Sequence, residues 1–141
     1  IMAKVPSETK WLAGDTTYLA TKSALKKALE DYKARMAQQR GQYDTEYNMN
    51  LGNLNTSRRA AVGDQQNDFA SRGILHSGVY AKSLGELQSD YDARKNALTT
   101  GRANYRADLT SALKDFQTEQ GLALQNARQN AINRRAAKYG I

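Results

Sequence analysis

Apolar side chains recur at steps of three and four residues along two long stretches of the chain, and we call this set the Tyr/Leu stripe. The first stretch comprises Tyr18, Leu25, Leu29, Tyr32, Met36, Tyr43, Tyr47, Leu51, Leu54, Val62 and Phe69. The second comprises Tyr80, Leu84, Leu87, Tyr91, Leu98, Tyr105, Leu109, Leu113, Phe116, Leu124, Ala127 and Ala131. This spacing places side chains on one face of an α-helix. The pattern therefore predicts two long amphipathic helices and an all-α fold.

The repeat length of the stripe indicates how the helices pack. Each stretch spans 51 residues and, once its polar gaps are filled, contains 14 steps, which gives about 3.64 residues a step. A left-handed coiled coil has a step of about 3.5 residues and an 11-residue repeat one of about 3.67. We therefore expect coiled-coil-like helices of the 11-residue type, nearly straight or with slight right-handed coiling.

A short segment with turn chemistry separates the two stretches. Gly73 suits the left-handed position after a helix C-terminus. The segment Asp15-Thr16-Thr17 offers Asp and Thr oxygens that can cap the first helix, and Ser77 suits the N-cap of the second. The chain is therefore predicted to form an elongated antiparallel helical hairpin. Its predicted parts are an N-terminal arm (1–14), a first helix (15–72), a turn (73–78) and a second helix (79–138).

Two features weaken an isolated hairpin. Polar residues interrupt the stripe at Lys22, Arg40, Arg58, Gln65, Lys95, Arg102 and Gln120. Glycines occur inside the predicted helices at Gly41, Gly52, Gly63, Gly85, Gly101 and Gly121, each at a cost of about 1 kcal/mol relative to Ala. We therefore expect either a homo-oligomer or an open bundle in which the helices break at some glycines.

Composition argues against an enzyme. Apolar residues make up 40% of the 141 residues, and there is no cysteine and one histidine. His76 and Ser77 are neighbours in the predicted turn, which does not supply the geometry of a catalytic pair, and a zinc site needs more ligands. The chain contains no run of about 18 apolar residues, so no membrane span is predicted. No apolar segment follows Lys4, so the N-terminal residues do not have the pattern of a secretory signal. We expect no catalytic residue, cofactor or metal.

Charge and exposed apolar residues mark candidate contacts. The net charge is +7, from 21 Lys and Arg against 14 Asp and Glu, which favours acidic partners. A hairpin brings both chain ends together, so candidates for anion or nucleic-acid contact are Lys26, Lys27, Arg128, Arg134, Arg135 and Lys138. Candidates for binding partner proteins are Trp11, Leu12, Ile74, Leu75, Tyr43, Tyr47 and Tyr105.

The segment Asp68–Ala81 (DFASRGILHSGVYA) resembles a pattern of small helical virion proteins of tailed bacteriophages. Those proteins carry an aromatic-Ala-x-Arg-Gly turn with two apolar residues and a Ser-Gly, followed by a helix rich in Gln, Asp and Arg. The resemblance covers about residues 60–110. It implies a structural protein of the tail or head–tail region, made in the bacterial cytoplasm, residing in the virion and held there by other virion proteins.

Two alternatives remain open. A basic helical protein associated with nucleic acid or a packaged genome would use the cationic end. A secreted or adaptor helical-hairpin module is the other. Small two-helix secretion substrates carry a Trp-x-Gly turn, but here Trp11 precedes Gly14 by three residues and lies far from the turn.

Overall fold

The structure, a computed structural model, describes residues 4–141, and residues 1–3 of the predicted arm lie outside the described residues. The fold is all-α. Within residues 4–141 the elements are α1 (Glu8–Gly14), α2 (Thr16–Ser71) and α3 (Gly78–Tyr139), without a strand. The turn between α2 and α3 makes these helices a hairpin.

The first helix occupies the second half of the predicted arm. Ser7 caps α1, because its hydroxyl accepts a hydrogen bond from the Lys10 N–H at 3.2 Å. The Asp15 backbone N–H closes the helix on the Trp11 carbonyl, and the Asp15 carboxylate accepts from the Tyr18 N–H at 2.8 Å. One residue therefore ends α1 and caps α2, so that α2 begins at Thr16 rather than at the predicted position 15.

The turn has the expected chemistry. Gly73 has φ +70°, and its N–H bonds to the Ala70 carbonyl while the Ile74 N–H bonds to the Phe69 carbonyl. These two bonds form a Schellman motif. The Ser77 hydroxyl accepts from the Tyr80 N–H at 3.1 Å, which caps α3. The cap places the first residue of α3 at Gly78, one residue before the predicted start.

The C-terminal end of α3 also has a glycine in the left-handed conformation. Gly140 has φ +64°, and the Ile141 N–H bonds to the Ala136 carbonyl at 3.1 Å. Because Gly140 takes the left-handed position, α3 continues through Tyr139, one residue beyond the predicted end.

The interior glycines do not break the helices, since α2 and α3 run without interruption through all six. The open bundle with helices broken at glycine is therefore not the arrangement found. Every residue of the Tyr/Leu stripe is half-buried or buried, and among residues 4–141 only Phe69 and Ala131 are buried, at 8% and 0% exposure. The core is a single line of side chains.

The chain divides into two units. Unit 1 consists of Ile1–Ala37 with Leu109–Ile141, and unit 2 is Gln38–Asp108. In unit 1, Tyr32 of α2 stacks on Phe116 of α3 with ring centres 4.2 Å apart. In unit 2, Tyr43 stacks on Tyr105 at the same separation, and Phe69 packs on Tyr80 near the turn. Within each unit the segments of α2 and α3 are antiparallel.

Candidate functional site

Unit 1 contains a cluster in which α1 docks on α3. The Trp11 indole N–H donates to the Ala131 carbonyl at 2.7 Å. The edge of the Trp11 ring meets Tyr139 at a centroid separation of 6.2 Å, and the Lys138 ammonium lies 5.5 Å from the ring centroid of Trp11. Trp11, predicted to bind another protein, thus has an intramolecular partner. Leu12 is half-buried beside it.

An ion pair strengthens this docking. The side chain of Asp15 is 6% exposed, and its Oδ1 lies 2.8 Å from Nη2 of Arg134. The hydrogen bond from Arg134 lowers the pKa of Asp15 below its usual value, and the hydrogen bond from the Tyr18 backbone N–H acts in the same direction. The same ion pair raises the pKa of Arg134. Asp15 therefore joins all three helices through its backbone and its carboxylate.

Unit 2 contains a second polar cluster around Asp44. Its carboxylate accepts from Arg102 Nε at 3.0 Å and from Arg106 Nη2 at 2.9 Å. The hydrogen bond from Arg106 is the chief cause of the lowered pKa of Asp44, and Arg102 adds to it. Both arginines belong to α3 and Asp44 to α2, so the cluster ties the two helices together within this unit.

The tyrosines predicted to bind partners surround that cluster. Tyr43 and Tyr105 are stacked on each other, and the Arg102 guanidinium lies 4.7 Å from the ring centroid of Tyr47. The Tyr47 hydroxyl is 3.3 Å from Oγ1 of Thr99. All three rings are half-buried and make contacts inside unit 2, which leaves only their outer edges for another protein.

The turn presents the remaining apolar candidates. Ile74 is 37% exposed, and its backbone completes the Schellman motif. Leu75 is half-buried and His76 is exposed. Of these residues, Ile74 has the larger exposed apolar surface available to a partner.

The basic candidates fall into two groups. Three of them have partners within unit 1: Arg134 pairs with Asp15, Arg135 donates from Nε to the Pro6 carbonyl at 2.9 Å, and Lys138 lies over Trp11. Lys26, Lys27 and Arg128 are exposed and belong to no ion pair in the described part of the chain. The first group holds the ends of the chain together, and the second faces solvent.

Grooves flank the stripe of unit 1 on two sides. The larger, about 530 Å³, is lined by Leu12, Tyr18, Lys22, Leu124 and Arg128, among others. A second is lined mainly by neutral side chains, including Thr17, Thr21, Asn126 and Asn130. In the sequence, Lys22 is a polar interruption of the Tyr/Leu stripe. The tertiary pairing of α2 with α3 puts it beside Arg128.

Residues 4–141 contain neither a group of metal-ligating side chains nor a helix that could span a membrane. No three His, Cys, Asp or Glu side chains among residues 4–141 are grouped to hold a metal ion. No helix in the same range combines the length and apolar character that crossing a bilayer requires. No known protein family, curated protein or solved structure matches the chain.

Proposed function

We propose that this chain is a structural component of a tailed-bacteriophage virion, in the tail or head–tail region, and that it binds neighbouring virion proteins through helical packing. The resemblance of Asp68–Ala81 to the turn of small helical virion proteins suggests this class. In the structure this segment is the end of α2, the turn and the start of α3, which is the context in which the phage pattern occurs.

The observation that carries the proposal is the small amount of buried apolar surface. Two apolar residues are buried among residues 4–141, while Val79 and Leu122 are 65% and 57% exposed. Burying apolar surface stabilises by roughly 25 cal/mol per Å². Packing against neighbouring subunits would cover the outer edges of the half-buried stripe and these exposed side chains. A subunit of an assembly gains this stabilisation, which an isolated hairpin lacks.

Mass spectrometry of purified particles from the phage that encodes the chain tests the proposal. We expect the chain in several copies per particle, retained after nuclease treatment and a high-salt wash. A chain that is abundant in infected cells and missing from particles would contradict the proposal. Light scattering on the purified chain is the second test, with oligomers expected and a compact monomer at all concentrations as the contrary result.

A further inference from the structure

Most of the net positive charge of this protein lies in one of its two units. Unit 1 carries 12 Lys and Arg against six Asp and Glu, whereas unit 2 carries nine against eight. Unit 1 therefore holds a net charge of +6 out of the total of +7. If the excess of positive charge only kept polar helices in solution, we would expect both units to share it.

The cations also differ in their pairing. In unit 2, four of the nine form ion pairs, namely Arg72, Arg94, Arg102 and Arg106. In the described part of unit 1, Arg134 is the one cation within an ion pair. Unit 2 thus uses much of its basic charge internally, while unit 1 leaves most of its basic charge available to a ligand.

Five of these cations share one side of unit 1, and we call them the basic face. They are Lys22, Lys26 and Lys33 of α2 with Lys114 and Arg128 of α3, and all are exposed. Spacings of four, seven and fourteen residues return to nearly the same side of an α-helix. Since Lys22 and Arg128 line the same groove, the two rows lie on the same side of the hairpin.

One acid lies beside the basic face. Glu30 is four residues after Lys26 and three before Lys33, and it is exposed. No ion pair joins it to either lysine within the described residues. Its charge weakens the positive potential without neutralising a particular cation.

We propose that the basic face of unit 1 binds the phosphate backbone of double-stranded DNA without reading its sequence. Rows of lysine on two rigid helices suit a regular array of phosphates, and such contacts provide affinity without sequence information. Four of the five aromatic rings of unit 1 contact one another, because Tyr32 stacks on Phe116 and Trp11 packs on Tyr139. The fifth, Tyr18, is half-buried at the groove that Lys22 and Arg128 line, and one ring does not provide stacking platforms for successive unpaired bases. Duplex binding is therefore favoured over single-strand binding.

An anionic membrane is a poorer fit. Helices that lie in a membrane surface insert a broad apolar face rich in Leu, Phe or Trp. In unit 1 the apolar face of α2 is turned toward α3. The exposed large apolar side chains of α2 and α3 in this unit are Leu19 and Leu122, which are too few to form such a face. This inference stands independently of the virion proposal, since it concerns the ligand of one face.

Fluorescence anisotropy with a labelled duplex of about 30 base pairs tests the inference, with affinity measured between about 50 and about 200 mM salt. The test variant is Lys22→Gln, Lys26→Gln and Lys33→Gln combined. We expect affinity to fall at least about tenfold, and the slope of log affinity against log salt to decrease by roughly 2.7. Circular dichroism checks that the variant keeps its helix content.

The matched control removes three cations from unit 2. Arg59, Lys82 and Lys95 are exposed and belong to no ion pair in the described residues, so Arg59→Gln, Lys82→Gln and Lys95→Gln combined lower the net charge by the same amount. We expect this variant to bind like the wild type. In the opposite direction, Glu30→Gln should tighten binding.

Three results would overturn the inference. One is equal loss in both triple variants, which would make binding a matter of net charge alone. Another is no duplex binding by the wild type at the lowest salt. The third is tighter retention on anionic phospholipid vesicles than on duplex DNA, with the lysine triple variant abolishing vesicle binding, which would assign the basic face to a lipid surface.

Discussion

Asp15 and Asp44 each hold several helices or helix segments together through one carboxylate. Asp15 caps α2 and pairs with Arg134 inside unit 1, and Asp44 accepts from Arg102 and Arg106 inside unit 2. In both cases a hydrogen bond from arginine lowers the pKa of the carboxyl. These two acids therefore link stability to pH.

Stability should fall in acid because of these carboxylates. The folded-state pKa of Asp15 lies below the ordinary aspartate value of 3.8, so as pH falls the carboxyl takes up its proton first in the unfolded chain. The stabilisation is present above about pH 4 and is lost as pH falls through the folded-state pKa. We expect the thermal midpoint to fall less steeply in acid for Asp15→Asn, which keeps a cap, than for wild type. Asp64→Asn, an exposed control, should show the same pH dependence of the thermal midpoint as the wild type. If both variants weakened this pH dependence equally, the role given to Asp15 would be contradicted.

Gly101 differs from the other interior glycines in its surroundings. A Cβ at Gly101 would lie 3.3 Å from the Tyr43 hydroxyl oxygen, whereas a Cβ at Gly85 would meet nothing within 4 Å. Gly85→Ala should therefore raise the free energy of unfolding by about 1 kcal/mol, and Gly101→Ala by less, or lower it. Tyr43→Phe removes the hydroxyl that the new Cβ would approach. In the Tyr43→Phe background, Gly101→Ala should therefore raise the free energy of unfolding by more than it does in the wild type, as measured by chemical denaturation in a double-mutant cycle. Equal increases in the free energy of unfolding at both glycines would show that the contact with the Tyr43 hydroxyl does not affect stability.

The helices depend on a single row of partly buried contacts. Both α2 and α3 keep their polar and glycine interruptions inside continuous helix, because antiparallel pairing stabilises the residues on either side. Most helix stability in proteins comes from such packing of an apolar face rather than from intrinsic propensity. The stripe should then dominate the response to substitution.

A pair of substitutions in α3 tests this dependence. Phe116 stacks on Tyr32, and Phe116→Ala should lower the free energy of unfolding by about 2–3 kcal/mol, through lost burial and lost stacking. Leu122 is 57% exposed, and Leu122→Ala should change it by less than about 0.5 kcal/mol. Urea denaturation at one protein concentration compares them, and similar losses would mean that the stripe is not the main source of stability.

The described residues 4–141 have little buried core, and this bears on the proposed assembly. If copies associate through their helices, association stabilises the folded state by mass action. The thermal midpoint should then rise when the protein concentration is raised about a hundredfold, as followed by circular dichroism. A midpoint independent of concentration would count against self-association, although not against binding to a different virion protein, which the particle measurement addresses.

The sequence by itself determined the features that depend on neighbouring residues. Periodicity predicted an all-α fold with long helices, and the fold is all-α. The residue types at Asp15–Thr17, Gly73 and Ser77 indicated where caps could form, since capping involves hydrogen bonds across three to five residues. The alignment of the Tyr/Leu stripe likewise follows from helix geometry alone, and every one of its residues is half-buried or buried.

Only the tertiary structure decided which distant residues meet. Nothing in the local pattern pairs Trp11 with the Ala131 carbonyl, or Asp44 with arginines about 60 residues away. The same holds for the basic residues, because the partner and the exposure of each one depend on how the helices pack. The packing of α3 against the segment before α2 gives Arg134 the Asp15 carboxylate and Arg135 the Pro6 carbonyl. The pairing of α2 with α3 leaves Lys22 and Arg128 exposed on a shared groove. Charge is a property of each residue, whereas a charged face is a property of the packed helices.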